Sequence, residues 1–396
     1  MRLLLIISFL FVGCTSNINF EEIDTPAKNN GKYPRLFTDN SGTIFMSWME
    51  ENGDSTRLLF SSYQNETWSE PQMISESDSW FVNWADFPSV IGYNGNPLAA
   101  HWLQKSSGGP YSYDVNIKNL VGESSKSFVP HNDNTPTEHG FVSMSPISDS
   151  SYHVIWLDGR NTLGENESDS PDTYLSKAMT LRGALIQNNE IVIEQEIDPN
   201  ICDCCSTSLV QVSDGVLAAY RNRTENEIRD IYVSKLLFET NKWSEPISVN
   251  EDDWQIAACP VNGPMMDAID NTVAIAWFTG ANNQPNVKVK FSDDAGLSWQ
   301  SPIILDNEVP LGRVDVVLKN SETAFVSWMT RVDNSAVLKL AQVSKNGQII
   351  RNSVISEIDP SRSTGFPQLT SYGDGLMISW TDVSGNTPMI KTGIIR

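Results

Sequence analysis

The sequence predicts an all-β fold, a seven-bladed β-propeller closed by its own N-terminal strand. Three observations carry this expectation. A short apolar strand ends in Trp or Tyr seven times, at Trp48, Trp102, Trp156, Tyr220, Trp277, Trp328 and Trp380. The spacing is about 50–65 residues, the signature of a repeat architecture whose units cannot bury their apolar faces alone. Helical periodicity is nearly absent between these strands.

Each unit opens with an inner strand, turns, and runs into the aromatic-ended strand. Tyr33-Pro34-Arg35-Leu36 precedes Thr43 to Trp48, and Phe87-Pro88-Ser89-Val90 precedes Pro97 to Trp102. Gly140-Phe141-Val142 precedes His153 to Trp156, and Cys205 to Val212 precedes Val216 to Tyr220. Pro264-Met265-Met266, Val314 to Leu318 and Gly365 to Leu369 open the last three units. Turn formers such as Asn40-Ser41-Gly42 and Gly373-Asp374-Gly375 lie between the paired strands. Third strands follow at Arg57 to Tyr63, Ile231 to Leu237 and Val287 to Phe291. Four strands per unit, repeated radially, make a propeller. The competing count is six blades with one degenerate unit.

The chain ends indicate how the ring closes. Glu-Ile-Asp finishes a fourth strand at 196–198 and at 357–359, and it recurs at 22–24, before the first unit. The last unit stops at Arg396 after only three strands. The N-terminal strand is therefore expected to complete the last blade, removing two open edges at once.

Bulk properties narrow the function. The chain has 396 residues, 40% hydrophobic, with 27 Lys+Arg against 49 Asp+Glu and a net charge of -22. Such acidity repels phosphates, so no nucleic-acid partner is expected. It suits a soluble part outside the cytoplasm, expected as a monomer. At the N-terminus, Arg2 precedes an apolar run from Leu3 to Val12 that is too short to span a bilayer. The run ends in Gly13-Cys14, which resembles a bacterial lipoprotein signal. That resemblance implies cleavage before Cys14, lipidation of its thiol and membrane anchoring in the cell envelope. The alternative is an ordinary secretory signal with an incidental cysteine. Ser16 rather than Asp at the second mature position implies, by resemblance to enteric lipoproteins, the outer membrane. The expected division is a signal peptide at 1–13, a lipidated tether and closing strand at 14–30, and the propeller at 31–396.

Ser292-Asp293-Asp294-Ala295-Gly296-Leu297-Ser298-Trp299 matches the Asp-box pattern S-x-D-x-G-x-x-W. The Asp accepts bonds from its own turn, the Gly allows a left-handed backbone, and the Trp packs between strands. Ser61 to Trp68 is similar to an eroded second copy. On these segments the chain resembles the sialidase-like, BNR-repeat propellers over most of its mature length. Asp-boxes in that family lie away from the active face. They mark fold, and function has to be read from the site.

In such propellers the beginnings of the inner strands and the ends of the second strands meet around the channel mouth. The beginnings here carry Arg35, Asp86, His139, Cys204, Cys205, Cys259, Arg313 and Asp315. The strand ends carry Glu50, His101, Asp158, Arg160, Arg221, Arg223, Arg331 and Asp382. Trp102, Trp156 and Trp277 are placed to stack on a sugar or to cover the core. The resemblance implies a glycan ligand and an exo-glycosidase step. A sialidase clamps a carboxylate with three arginines, for which Arg35, Arg221 and Arg313 are the candidates. It also needs a Tyr nucleophile paired with Glu, and an Asp acid/base. Asp86, Asp158 and Asp315 are the acid/base candidates. No Tyr lies between Arg313 and Tyr372, and Tyr372 falls in a turn.

Four cysteines remain besides Cys14: Cys202, Cys204 and Cys205 in one run, and Cys259 opening Cys259-Pro260-Val261-Asn262-Gly263-Pro264. Similar segments occur in uncharacterised sialidase-like bacterial proteins, a resemblance that supplies no chemistry. Blade alignment makes the two groups neighbours. An even number of thiols in an oxidising compartment favours disulfides, as Cys205–Cys259 with a strained Cys202–Cys204 bridge. The alternative is a thiolate site for Zn²⁺ or Cu(I), completed by His139 or His101. A reactive redox thiol is a third reading, and a non-catalytic binding module a further one. The acidic stretch Asp158 to Asp172, with Glu165, Glu167 and Asp169, fits no defined Ca²⁺ loop and reads as solvated.

Overall fold

The computed structural model describes residues 18–28, 30–106, 109–122, 126–164 and 177–396. The lipidation candidate Cys14, the 1–13 signal and the acidic residues Glu165, Glu167 and Asp169 lie outside the described residues. The described residues form seven antiparallel sheets, one per predicted unit. The innermost strands are Gly31–Thr38, Ser89–Tyr93, His139–Ser148, Ser208–Val212, Met265–Ile269, Pro310–Asn320 and Gln368–Tyr372. Each touches the next, and the last touches the first, so the ring closes as a seven-bladed propeller. Among the described residues the only helices are single 3₁₀ turns, Ala281–Asn283 and Arg362–Thr364.

Closure follows the Glu-Ile-Asp signature. Phe20–Ile23 pairs antiparallel with Met389–Ile395, with Glu22 opposite Gly393, and becomes the outer strand of the seventh blade. Phe20 packs against Trp380 at 6.1 Å. The second blade is the short one, with three strands ending at Tyr113–Asn119 and a single bridge from Ile117 to Phe128 in place of a fourth.

The seven repeat aromatics are all 4% exposed or less. They lie between sheets, so Trp102, Trp156 and Trp277 cover the core and present no ring to a sugar. Burying one such ring removes 150–250 Å² from water, so the repeat that marks the fold also supplies much of its cohesion (about 25 cal/mol per Å²).

Inner strands expose an unpaired edge to the channel, and those backbone groups need partners. A neighbouring blade supplies them as side chains, the acceptor for each inner-strand N–H coming from the preceding blade. Asp86 accepts from Phe141 N at 2.8 Å, and Ser208 Oγ from Met266 N at 3.0 Å. Asp267 accepts from Leu318 N and Asp315 from Leu369 N, both at 2.7 Å. Ser143 Oγ donates to Thr207 O at 2.9 Å. At the far face, the Asp-box behaves as its sequence predicts. Asp294 Oδ1 accepts from Ser298 N at 2.8 Å, Gly296 has φ +84°, and Trp299 packs against the fourth and fifth blades' core.

Candidate functional site

Backbone strain gathers where the inner strands begin. Tyr33, Phe141, Val261 and Arg313 all have φ between 49° and 54° there. Left-handed backbone is costly for such residues, above all for a β-branched Val, and persists only where surrounding contacts over-determine it. Bulges accompany it between Lys32 and Arg35, Gly140 and Ser143, and Gly312 and Asp315. This rim borders a central cavity of about 180 Å³, into which all seven inner strands project.

The thiols sit on this rim. Cys202 and Cys205 are buried, Cys204 is half-buried and Cys259 is exposed, and all four are free. The Sγ atoms of Cys202, Cys204 and Cys205 lie within 4.8 Å of one another. Cys202 and Cys205 are 3.4 Å apart, which is neither of the pairings the sequence offered. Cys259 is the thiol nearest to Cys204 outside this group, close enough to raise the Cys204 pKa. Arg229 Nη1 donates to Cys202 Sγ at 3.3 Å. Glu227 holds that guanidinium at 2.8 Å and is itself gripped by Arg223 at 2.7 Å. Hydrogen bonds from Cys204 and Cys205, with the charges of Arg229 and Arg221, hold the Cys202 thiol well below its usual range against burial. Burial pushes Cys205 up to about 12. Cys259 is lowered as well, chiefly by its contact with Cys204.

The three arginines of the sialidase reading do not converge. Arg221 spends its donors on the carbonyls of Arg229 (2.5 Å), Asn262 (2.7 Å) and Phe278 (2.8 Å), and lies 4.8 Å over Trp254. Arg313 binds the carbonyls of Gly365 at 2.9 Å and Ser361 at 3.0 Å and lies 4.9 Å over Trp84. Both guanidinium groups staple one blade to the next. Arg35 alone lines the cavity, with Asp315 and Ser89. Burial lowers its pKa, and the Asp315 charge opposes this. His101 lies beside it, bonded to Ser89 Oγ at 2.9 Å, and is not among the residues grouped with the thiols.

The acid/base candidates divide. Burial raises Asp86 to about 8, with Glu138 adding to the effect, and raises Asp315 to about 6. Both carboxyls are committed to the blade clasps described above. Asp158 is lowered despite burial, because Arg160 grips it through two bonds of 2.7 Å and Trp156 Nε1 donates at 2.8 Å. Sequence reasoning missed Glu138, which accepts from the Tyr113 hydroxyl and which burial raises to about 7. A Cβ on Gly140 would meet Asp86 at 2.1 Å and Tyr113 at 3.0 Å, so the three groups share one place. Tyr113 is 1% exposed, stacked on Phe81 at 3.9 Å. Tyr372 packs on Tyr63 beside the turn at Gly375, at the opposite end of its blade.

His139 does not join the cysteines. It is buried and stacked 3.8 Å from His131, and its ring nitrogens lie 3.1 Å from Asp133, 3.8 Å from Asp114 and 3.7 Å from Asp158. His131, Asp133 and Asp114 come from the second blade and the long connection after it. His131-Asn132-Asp133 was a legible signal, two ligand-type residues in one polar loop, but nothing in its spacing named a partner.

No family model matches the chain, and no curated protein matches it. Solved structures do match in shape. An ulvan lyase of polysaccharide lyase family PL25, solved with -[GlcA(1-4)Rha3S]- bound, aligns with TM-score 0.53 and 11% identity over 94% of this chain and 95% of that one. The Hadza microbial sialidase Hz136 aligns with TM-score 0.47 and 10% identity over 92% of this chain. The chain spans 65% of that sialidase's length. The α-L-arabinofuranosidase Arb93A from Fusarium graminearum gives TM-score 0.48 and 12% identity over 97% and 98%. At such identities the likeness establishes the propeller fold and nothing finer.

Proposed function

We propose that this chain is an envelope propeller, lipid-anchored through Cys14, that binds a soft metal ion at the channel mouth. Cys202, Cys204 and Cys205 supply the thiolates, and Cys259 is the fourth thiol within reach. One observation carries the reading: three free Sγ atoms within 4.8 Å of one another, with Arg229 3.3 Å from the innermost. Thiolate ligands suit Zn²⁺ and Cu(I), and a nearby guanidinium favours the thiolate form. Metal content and free-thiol count, measured on protein purified without reductant or chelator, test it. About one metal per chain, lost in Cys204→Ser, supports the site. No metal and no free thiols would make the cysteines structural disulfides.

A glycan at the same mouth is the second reading, favoured by Asp86 and Glu138, two acids near neutrality beside the Tyr113 hydroxyl. Here Arg35, facing the cavity, is the group for an acidic sugar. Arg35→Ala should abolish acidic-sugar binding, and unchanged affinity in that variant would remove this reading.

A further inference from the structure

We propose that the four thiols form a two-electron relay, in which a small disulfide such as oxidised glutathione reacts at exposed Cys259 and the oxidation comes to rest as a buried Cys202–Cys205 disulfide. The relay would regulate the thiol site described above. It rests on the metal reading only for its consequence, the release of the ion.

Exposure falls inward through the cluster. Cys259 is exposed, Cys204 is half-buried, and Cys205 and Cys202 are 2% and 1% exposed. Thiol–disulfide exchange needs access to the attacking sulfur, so a reagent in solution meets the inner pair only through the outer two. The segment carrying Cys259 lies against the cysteine run. A Cβ on Gly263 would overlap the Ser206 carbonyl oxygen, and Cys259 is the thiol nearest to Cys204 outside the run. The Sγ atoms of Cys204, Cys202 and Cys205 then lie within 4.8 Å of one another, so each inward step is short.

The inner pair is the natural resting place. Cys202 and Cys205 have C-x-x-C spacing and Sγ atoms 3.4 Å apart. A disulfide bond is about 2.05 Å long, a gap that side-chain rotation can close. Cys204 and Cys205 are joined by a trans peptide, which sets their Cα atoms about 3.8 Å apart. Disulfides usually need at least about 4.4 Å there, so a bridge between these neighbours is strained. A Cys204–Cys259 bridge is unburied on one side and open to exchange, and exposed bridges are the labile ones. A Cys202–Cys205 bridge carries no charge into the interior, where charge is costly. Arg229 meanwhile keeps its two bonds to Glu227, of 3.1 and 2.8 Å.

The electrons balance at each step. The Cys259 thiolate attacks one sulfur of glutathione disulfide, and a glutathione thiolate leaves. Cys204 attacks Cys259 Sγ and expels the second glutathione, closing Cys204–Cys259. Cys202 attacks Cys204 Sγ and frees Cys259, and Cys205 attacks Cys202 Sγ and frees Cys204. In sum two protein thiols are oxidised, one disulfide is reduced to two thiols, and the two protons pass to the departing glutathione. Metal ligands must be thiolates. The bridged protein offers only Cys204 and Cys259 of the four, so it releases the ion.

The full chain, reduced and stripped of metal, is incubated with oxidised glutathione, and differential alkylation with peptide mass spectrometry then reads each cysteine. The expected product joins Cys202 to Cys205 and leaves Cys204 and Cys259 free to alkylate. Cys259→Ser, a change on the surface, should leave Cys202 and Cys205 alkylatable over the time in which the parent is fully bridged. A different resting bridge, or a Cys259→Ser chain oxidised as fast as the parent, overturns the relay. Zn²⁺ binding, measured against a chromophoric chelator, tests the consequence on the reduced and bridged chains. Binding by the reduced chain and its loss in the bridged one support release, and equal binding by both overturns it. A reduced chain that binds no Zn²⁺ removes the metal reading and the release with it, while the relay is judged on the mapped bridge alone.

Discussion

Arg229 reaches across the fourth blade to place its Nη1 3.3 Å from Cys202 Sγ, both groups being buried. Nothing in their sequence separation of 27 residues announces this contact. It arises because the fourth blade's second strand ends at Arg221, beside Ile201, and its third begins at Ile231. The connection between them folds back over the cysteines. A buried cation hydrogen-bonded to sulfur stabilises the thiolate that a metal requires.

Arg229→Gln should therefore weaken metal binding by the thiols. A hydrogen bond to a charged group is worth about 1.5–3 kcal/mol, so the expected loss is roughly tenfold or more in affinity. Competition with a chromophoric chelator measures it. Unchanged affinity would show that the guanidinium serves only its Glu227 partner.

Asp86 should make the fold less stable as pH rises. Its folded value of about 8 lies above the ordinary 3.8. The native state therefore holds a proton that the unfolded chain gives up, and stability falls between about pH 4 and 8. Asp267 and Asp315, each raised to about 6 by burial, act in the same direction. Asp86→Asn keeps an acceptor for Phe141 N and removes the titration. Urea unfolding across that range should give a flatter profile for the variant, by roughly a few kcal/mol. Parallel profiles would place the Asp86 titration outside the window.

Gly393→Val should loosen ring closure. A Cβ there would stand 2.2 Å from the Phe20 ring and 2.9 Å from the Glu21 carbonyl. Over-packing of this kind costs about 1–3 kcal/mol. The expected readout is a lower Tm with earlier proteolysis near residue 20. A parent-like Tm would mean that Phe20–Ile23 contributes little to closure.

Asp294→Ala should cost about 1–2 kcal/mol, because Ser292 Oγ at 2.7 Å and Ser298 N at 2.8 Å lose their acceptor. Metal content should not change, since this turn lies at the far end of the fifth blade from the rim. A loss of metal in this variant would mean that the two ends of the blade are coupled.

The sequence alone determined the repeat. Trp48 to Trp380 mark seven second strands, and the Glu-Ile-Asp at 22–24 placed the closing strand on the last blade. These features are legible because backbone pairing has a local period: alternation, turn residues and a recurring aromatic are written in consecutive residues. The tertiary structure alone decided which side chains meet. Arg221 and Arg313 turned from a clamp into blade staples because carbonyls of the neighbouring blade lie within reach. His139 joined Asp114 and His131 instead of the cysteines because its blade packs beside the second, and the connection between them folds over its ring. Such meetings depend on loop paths, left-handed residues such as Val261 and contacts between blades, none of which has a period. The scaffold was therefore written along the chain, and the chemistry was set by how neighbouring blades approach.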